Sequence, residues 1–317
     1  MNLQQLEYII AIDSYRHFAK AAEKCFVTQP TLSMMVQKLE EELDVKIFDR
    51  TSQPVKPTPI GEQIIEQARK TLADAKRITE LVKENKGEIS GELRLAIIPT
   101  LAPYLLPLFL KNFSQQYPQV RLIISERITP VIISQLKTGE LDMGLLATPL
   151  HEPILHEQPL FYEELMLYVA DNEALASKQY VLPKDIDVHK LWLLQEGHCL
   201  RSQIMNLCEL KRSDAEVLQY EAGSIETLKN IVDRDNGMTI IPELATLDLA
   251  EKTAHIRHFQ PPAPVREISL VSHKDDARAS LRKALFDTVQ QVLPTQIRRK
   301  GDATKSLELI KEQRQSK

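Results

Sequence analysis

No stretch of this 317-residue chain is apolar for the length of a membrane helix, and its N-terminus has no signal-peptide core. It has no marked excess of one charge either: 40 Lys and Arg against 44 Asp and Glu leave a net −4. There is thus no global electrostatic pull toward nucleic acid, and any DNA contact has to come from a local arrangement. Cysteine is scarce. Cys25, Cys199 and Cys208 are the whole set, none in a CxxC pair, which argues against a zinc site, and no metal or cofactor is expected. Thiols without a secretion signal point to a reducing cytoplasm, where a disulfide is transient and regulatory. What is present is an ordinary soluble composition, 43% hydrophobic and 26% charged, in a chain long enough for two or three domains.

Two of the three cysteines lie close together, in Gly197-His198-Cys199-Leu200-Arg201 and at Cys208. The residues from 201 to 210 read as helix. Over nine helical residues the two thiols stand about 13 Å apart along the axis. At about 100° per residue they also face opposite sides. A disulfide needs Cα atoms within roughly 7 Å, so joining them requires the segment to unwind. His198 and Arg201 flank Cys199 and are groups able to favour a thiolate. Two readings follow: a pair of small buried hydrophobes, or a redox pair whose oxidation remodels its own helix.

Residues 1–58 read as a helix-turn-helix with a wing. Leu3, Leu6, Ile9, Ile10 and Phe18 recur at helical spacing, and Ala21 and Ala22 allow a close helix crossing. Thr28 suits an N-cap, and Pro30 is tolerated in the first turn. Gln29, Thr31, Ser33 and Gln37 are polar on a helix anchored by Leu32, Val36 and Leu39, as a helix lying in a major groove would be. Arg50 and Lys56, on a short wing from Ile47 to Thr58, are candidate phosphate contacts. Cys25 falls in the turn and reads as a packed structural thiol.

Residues 59–91 carry one apolar stripe, Ile60, Ile64, Ala68, Leu72, Ala75, Ile78 and Val82. A long helix with one narrow stripe needs a partner, and the same helix of a second subunit is the simplest. Gly87 and Gly91 read as the helix end and a hinge.

From 92 to 297 strands alternate with helices, which implies an α/β fold with a mostly parallel sheet. Strands are expected at 93–98, 120–126, 141–146, 165–170, 191–194, 216–220, 238–241 and 267–272. Helices are expected at 103–116, 130–138, 201–210, 225–234 and 277–293. The chain reads as two subdomains: subdomain I, 92–163 and 267–297, and subdomain II, 164–266. Thr100 and Thr129 follow strands at the end where a cleft would lie, a place where threonine also commonly caps a helix. Residues 298–317 read as a flexible polar tail.

Phe18 through Ala22, Thr28 through Ser33, Leu39-Glu40 and Leu43 through Arg50 resemble the winged helix-turn-helix of the LysR-type regulators. The 197–201 stretch with Cys208 resembles the peroxide-sensing branch of that family, and the likeness runs from residue 1 to about 295. It implies a fold like that of periplasmic binding proteins for the sensor. It also implies Cys199 as the thiol attacked by hydrogen peroxide and Cys208 as its resolving partner. Thr100 and Thr129 would hydrogen-bond peroxide, His198 and Arg201 would polarise the site, and Arg266 would be its basic residue. The family picture adds a homodimer through the linker helix, a homotetramer, double-stranded DNA and RNA polymerase as partners, and thioredoxin or glutaredoxin as reductant. It implies a regulator of antioxidant genes and not an enzyme. Two departures stand out: Ser202, where the family often has aspartate, and Ser125, where some relatives carry histidine. Rival readings are a LysR-type regulator of a small metabolite with Cys199 incidental, and a thiol peroxidase, which would have no need of a DNA-binding domain.

Overall fold

Asn2 starts the first helix by accepting from the Gln5 N–H, while the Gln5 side chain accepts from the Asn2 N–H, a reciprocal cap. The computed structural model describes residues 1–85, 89–209, 222–247, 249, 253–298 and 307–309. Helices α1 (Leu3–Tyr15), α2 (Phe18–Lys24) and α3 (Gln29–Leu43) pack Leu6, Ile9, Ile12, Ala21, Leu32, Val36 and Leu39 into a small core of their own. The paired strands β1 (Phe48–Asp49) and β2 (Lys56–Pro57) form the wing. Glu40 joins wing to α3. It is buried, and its Oε1 accepts from the N–H groups of Ile47 at 2.9 Å and Phe48 at 3.3 Å.

Helix α4 (Pro59–Asn85) divides its stripe. Ala68 is buried in the head's core, and Ile64 and Leu72 pack against it. Farther along, Ile78 and Val82 are 66% and 54% exposed, and Ile60 at the start is 43% exposed. The head thus takes the middle of the stripe, a use of this chain's own helices that sequence periodicity did not reveal. Gly87 lies outside the described residues. Gly91 opens β3 with φ +117°.

In the sensor, β3 (Gly91–Ile97), α5 (Ala102–Gln116), β4 (Val120–Glu126), α6 (Thr129–Thr138) and β5 (Met143–Thr148) give three parallel strands in the order β4-β3-β5. Two long strands, β6 (Leu155–Val169) and β10 (Ala263–His273), then run antiparallel to each other, and β10 also lies antiparallel to β5. The sheet is therefore not mostly parallel. A chain that crosses between two lobes on one strand and returns on its neighbour must pair them head to tail. The far lobe adds β7 (Tyr180–Val181), α7 (Cys199–Leu207), α8 (Ile225–Asp235), β8 (Met238–Pro242) and β9 (Ile256–Phe259), with β8 and β9 antiparallel to β6. One continuous core of Leu, Ile, Val and Phe side chains lies under both lobes.

The expected strand at 191–194 is two isolated bridges, Leu191 to Met238 and Leu194 to Ala222. The expected strand at 216–220 lies outside the described residues. Helices α9 (Ala279–Val292) and α10 (Thr295–Arg298) follow. The tail is not wholly irregular: β11 (Leu307–Leu309) pairs in parallel with Ala263–Val265 of β10. Residues 263–265 precede the part of β10 that pairs with β5, so their backbone edge is open to an added strand.

Candidate functional site

The two lobes meet where Gly197 packs on Ile128. Gly197 has φ +92°, a region costly for other residues, and a Cβ there would stand 2.9 Å from Ile128 Cδ1. Ile128 immediately precedes Thr129 at the start of α6, and Gly197 immediately precedes His198 at the start of α7. The Arg127 N–H donates to the Ile97 carbonyl at 3.1 Å, so the turns after β3 and β4 run side by side. These contacts gather the segments bearing Thr100, Thr129, His198 and Cys199.

Cys199 is the first residue of α7 and is 4% exposed. A helix N-terminus carries partial positive charge, which favours an anion such as a thiolate. His198 is the N-cap residue yet makes no side-chain capping bond, and its Nε2 is buried without a hydrogen-bond partner. Burial lowers the pKa of this imidazole. A neutral imidazole is thus the favoured form of His198.

Neither threonine caps a helix. Helix α5 starts after Leu101 and α6 after Ile128, and neither start has a side-chain cap. Thr100 instead accepts from Arg266: Nη1 donates to its Oγ1 at 3.0 Å and Nη2 to its carbonyl at 3.2 Å. Thr129 is 5% exposed, and its Oγ1 has no hydrogen-bond partner. Arg266 has no exposed surface and is paired with Glu163 at 2.8 Å. A buried arginine is stable only with such a partner.

Arg201 lies two residues along α7 from Cys199, a turn of about 200°. Its Nη1 donates to the Leu194 carbonyl at 2.8 Å, which ties the helix to the segment before it. That bond gives Arg201 a structural role as a tie. Cys208 caps the other end of α7, half-buried, with its thiol pushed up to about 12 by burial. All three cysteines are thiols, with no disulfide among them. Ser202 and Ser125 are both half-buried. Among the described residues no cluster of three His, Cys, Asp or Glu could hold a metal ion.

Sequence reasoning missed the partners of the basic groups. Glu163 holds Arg266, and Tyr104 on α5 donates to Glu226 on α8 at 2.7 Å, a bond between the lobes. No local signal marks either pair, since 103 and 122 residues separate their members.

On the head, Thr28, Gln29, Pro30, Thr31 and Gln37 are exposed on α3 or its cap, and Thr28 Oγ1 accepts from the Thr31 N–H at 3.4 Å. Ser33 is half-buried, and Gln37 donates to Glu41 at 2.9 Å. Lys56 is exposed on the wing. Arg50 donates to Ser33 Oγ at 3.2 Å and Glu40 Oε2 at 3.3 Å, with its guanidinium 5.1 Å from the Phe18 ring centre. It ties wing to α3 as well as facing solvent. Phe26, 95% exposed in the turn before α3, and Met34 on it are apolar surface residues that the polar pattern hid.

The chain matches two family models: the bacterial regulatory helix-turn-helix protein of the LysR family over residues 3–62, and the LysR substrate binding domain over 86–294. The Escherichia coli K12 protein named "DNA-binding transcriptional dual regulator OxyR" is 36% identical over 293 residues, 92% of this chain and 95% of its own. Among solved structures, a full-length OxyR of Pseudomonas aeruginosa with a cysteine-to-aspartate change has TM-score 0.72 and 32% identity, covering 92% of this chain and 99% of its own. A cysteine-to-serine variant of Corynebacterium glutamicum OxyR, with H2O2 bound, has TM-score 0.61 and 27% identity, covering 98% of each chain.

Proposed function

This chain belongs to the LysR family of helix-turn-helix regulators, and from that premise we propose that it is a DNA-binding transcription regulator switched by hydrogen peroxide at Cys199. The observation that supports this reading is the setting of Cys199. It stands at a helix N-terminus, next to His198, and the approach of Gly197 to Ile128 brings that helix start toward the one that carries Thr129. His198 Nε2 and Thr129 Oγ1 are both buried without hydrogen-bond partners, and a second thiol lies at the far end of the Cys199 helix. Such unpaired buried polar atoms cost stability unless a small polar molecule visits them. Peroxide, with two O–H donors and two acceptor oxygens, is such a molecule.

The Cys199 thiolate attacks one peroxide oxygen, the O–O bond breaks, and the departing hydroxide takes a proton to become water. Sulfur loses two electrons and becomes a sulfenic acid. The Cys208 sulfur then attacks the Cys199 sulfur, its proton leaves with the sulfenic hydroxyl as a second water, and a disulfide forms. Because α7 holds the thiols about 13 Å apart along its axis, that second step requires the helix to unwind. Unwinding alters the lobe surface and, through the subunit contacts, the spacing of the DNA-binding heads.

On this reading Thr28, Gln29, Pro30, Thr31, Ser33, Gln37, Arg50 and Lys56 face DNA. The exposed part of α4 pairs two chains, and two such dimers make a homotetramer. RNA polymerase is the partner at promoters of antioxidant genes, thioredoxin or glutaredoxin resets the disulfide, and the site of action is the cytoplasm. The working units are residues 1–58, 59–91 and 92–297.

One equivalent of hydrogen peroxide on fully reduced protein, followed by thiol blocking and tryptic mass mapping, tests the reading. The expected product is peptide 191–201 joined to 202–211 within one chain and released by dithiothreitol. If Cys199 and Cys208 both remain thiols, the peroxide reading is wrong and a cleft-binding metabolite becomes the signal to seek. Sustained turnover with thioredoxin at enzyme rates would instead indicate a peroxidase.

A further inference from the structure

Glu163 on β6 and Arg266 on β10 face each other in register where the two strands pass between the lobes, and neither side chain has any exposed surface. One oxygen of Glu163 holds the arginine, and the other is fixed by a backbone N–H. Its Oε1 accepts from Arg266 Nε at 2.8 Å, and its Oε2 accepts from the Leu244 N–H at 3.1 Å. Burial pushes the Glu163 carboxyl up, yet both oxygens accept from fixed donors, the arrangement of an ionised carboxylate. With Nε engaged, the planar guanidinium can turn no further, and its far edge grips Thr100 at both Oγ1 and the carbonyl.

That grip has a consequence for the hydroxyl. An oxygen that already accepts from a guanidinium cannot point its own hydrogen back at that cation. The Thr100 hydroxyl is thereby left as a donor directed away from Arg266. Thr100 sits on the turn beside the 127–129 segment, which packs against the residues leading into Cys199.

We propose that Glu163 is a positioning residue for peroxide reduction: it locks Arg266, which in turn orients the Thr100 hydroxyl as a donor to peroxide in front of Cys199. The proposal rests on the peroxide-sensing reading. It assigns Glu163 no contact with peroxide. Its influence passes through Arg266 and ends at one hydrogen.

The test compares two reactions of Cys199 in the full-length reduced protein: oxidation by hydrogen peroxide and alkylation by iodoacetamide, each followed by mass mapping. Glu163→Gln is expected to slow the peroxide reaction by about tenfold or more, the scale of losing an aimed donor. Alkylation should change by less than about threefold, since the thiol itself is untouched. Thr100→Val should slow peroxide to a similar degree, and the double variant should be no slower than Thr100→Val alone. Equal slowing of both reactions, additive losses in the double variant, or an unchanged peroxide rate would each overturn the proposal. If Glu163→Gln does not fold, Glu163→Gln with Arg266→Met removes both buried charges, and a peroxide-to-alkylation ratio equal to wild type would overturn it there. A wild-type Cys199 that reacts with peroxide no faster than Cys25 would instead sink the peroxide reading itself.

Discussion

At the scale of single residues, burial sets the protonation of two histidines and of the Cys208 thiol. Burial lowers the His198 pKa, and His273 is displaced in the same direction by the same cause. In the unfolded chain both protonate near pH 6.5, whereas in the fold a lower pH is needed. Between those values the unfolded state binds more protons, so stability is lost as pH falls below about 6.5. Urea midpoints measured against pH should fall in that window, and His198→Gln should flatten part of the fall. A slope unaltered in both His198→Gln and His273→Gln would show that the two histidines do not carry it. Cys208 is the counterpart. With its thiol pushed up to about 12, it stays protonated in the folded state at neutral pH. Its alkylation by iodoacetamide at pH 8 should be at least about tenfold slower in the native protein than in urea. Equal rates would mean that α7 already opens freely in the reduced state.

At the scale of elements, α4 and α7 are each built to do two things. Helix α4 gives Ala68 to the head's core and leaves Ile78 and Val82 uncovered farther along. Charged residues at those two positions should weaken self-association by about tenfold or more, read by analytical ultracentrifugation, without lowering the melting temperature of the sensor. Unchanged association would place the subunit contact elsewhere. Helix α7 depends on its entry: with φ +92° and Ile128 Cδ1 2.9 Å from an added Cβ, Gly197 admits no side chain without movement. Gly197→Ala should cost about 1 kcal/mol or more in urea unfolding and slow peroxide oxidation of Cys199. A variant equal to wild type in both would show that the two lobes do not need this close approach.

At the scale of the whole molecule, the head rests against the sensor through a few polar contacts. Tyr15 donates to Glu140 at 2.6 Å, and Arg69 bonds Asp13 at 2.9 Å while donating to the Lys137 carbonyl at 3.3 Å. These tie α1 and α4 to the end of α6, the helix whose first turn carries Thr129. Tyr15→Phe combined with Arg69→Ala should leave the rate of Cys199 oxidation unchanged and diminish the oxidation-dependent change in the DNA footprint. A footprint that still shifts as in wild type would show that the signal reaches DNA by subunit contacts alone.

Local pattern was enough for much of this protein. Period and capping placed α1 through α4, the wing and strands β3 and β4 close to where they lie, because hydrophobic spacing, Thr28 and Pro30 act within a few residues. The family of the head was legible in Phe18 through Arg50 for the same reason. The likeness that singled out Cys199 also pointed to Thr100, Thr129 and Arg266, but the hydrogen bonds of these side chains could not be read from the chain. Whether a threonine caps a helix or accepts from an arginine 166 residues away depends on which strands cross between the lobes. The antiparallel course of β6 and β10 and the pairing of Glu163 with Arg266 follow from that crossing. The sequence by itself determined most of the elements and the family, which are written in short-range spacing and motif, and through the family likeness it singled out Cys199. Only the tertiary structure decided which buried charges meet and which polar atoms are left without partners, because burial and long-range pairing exist only once the chain has folded.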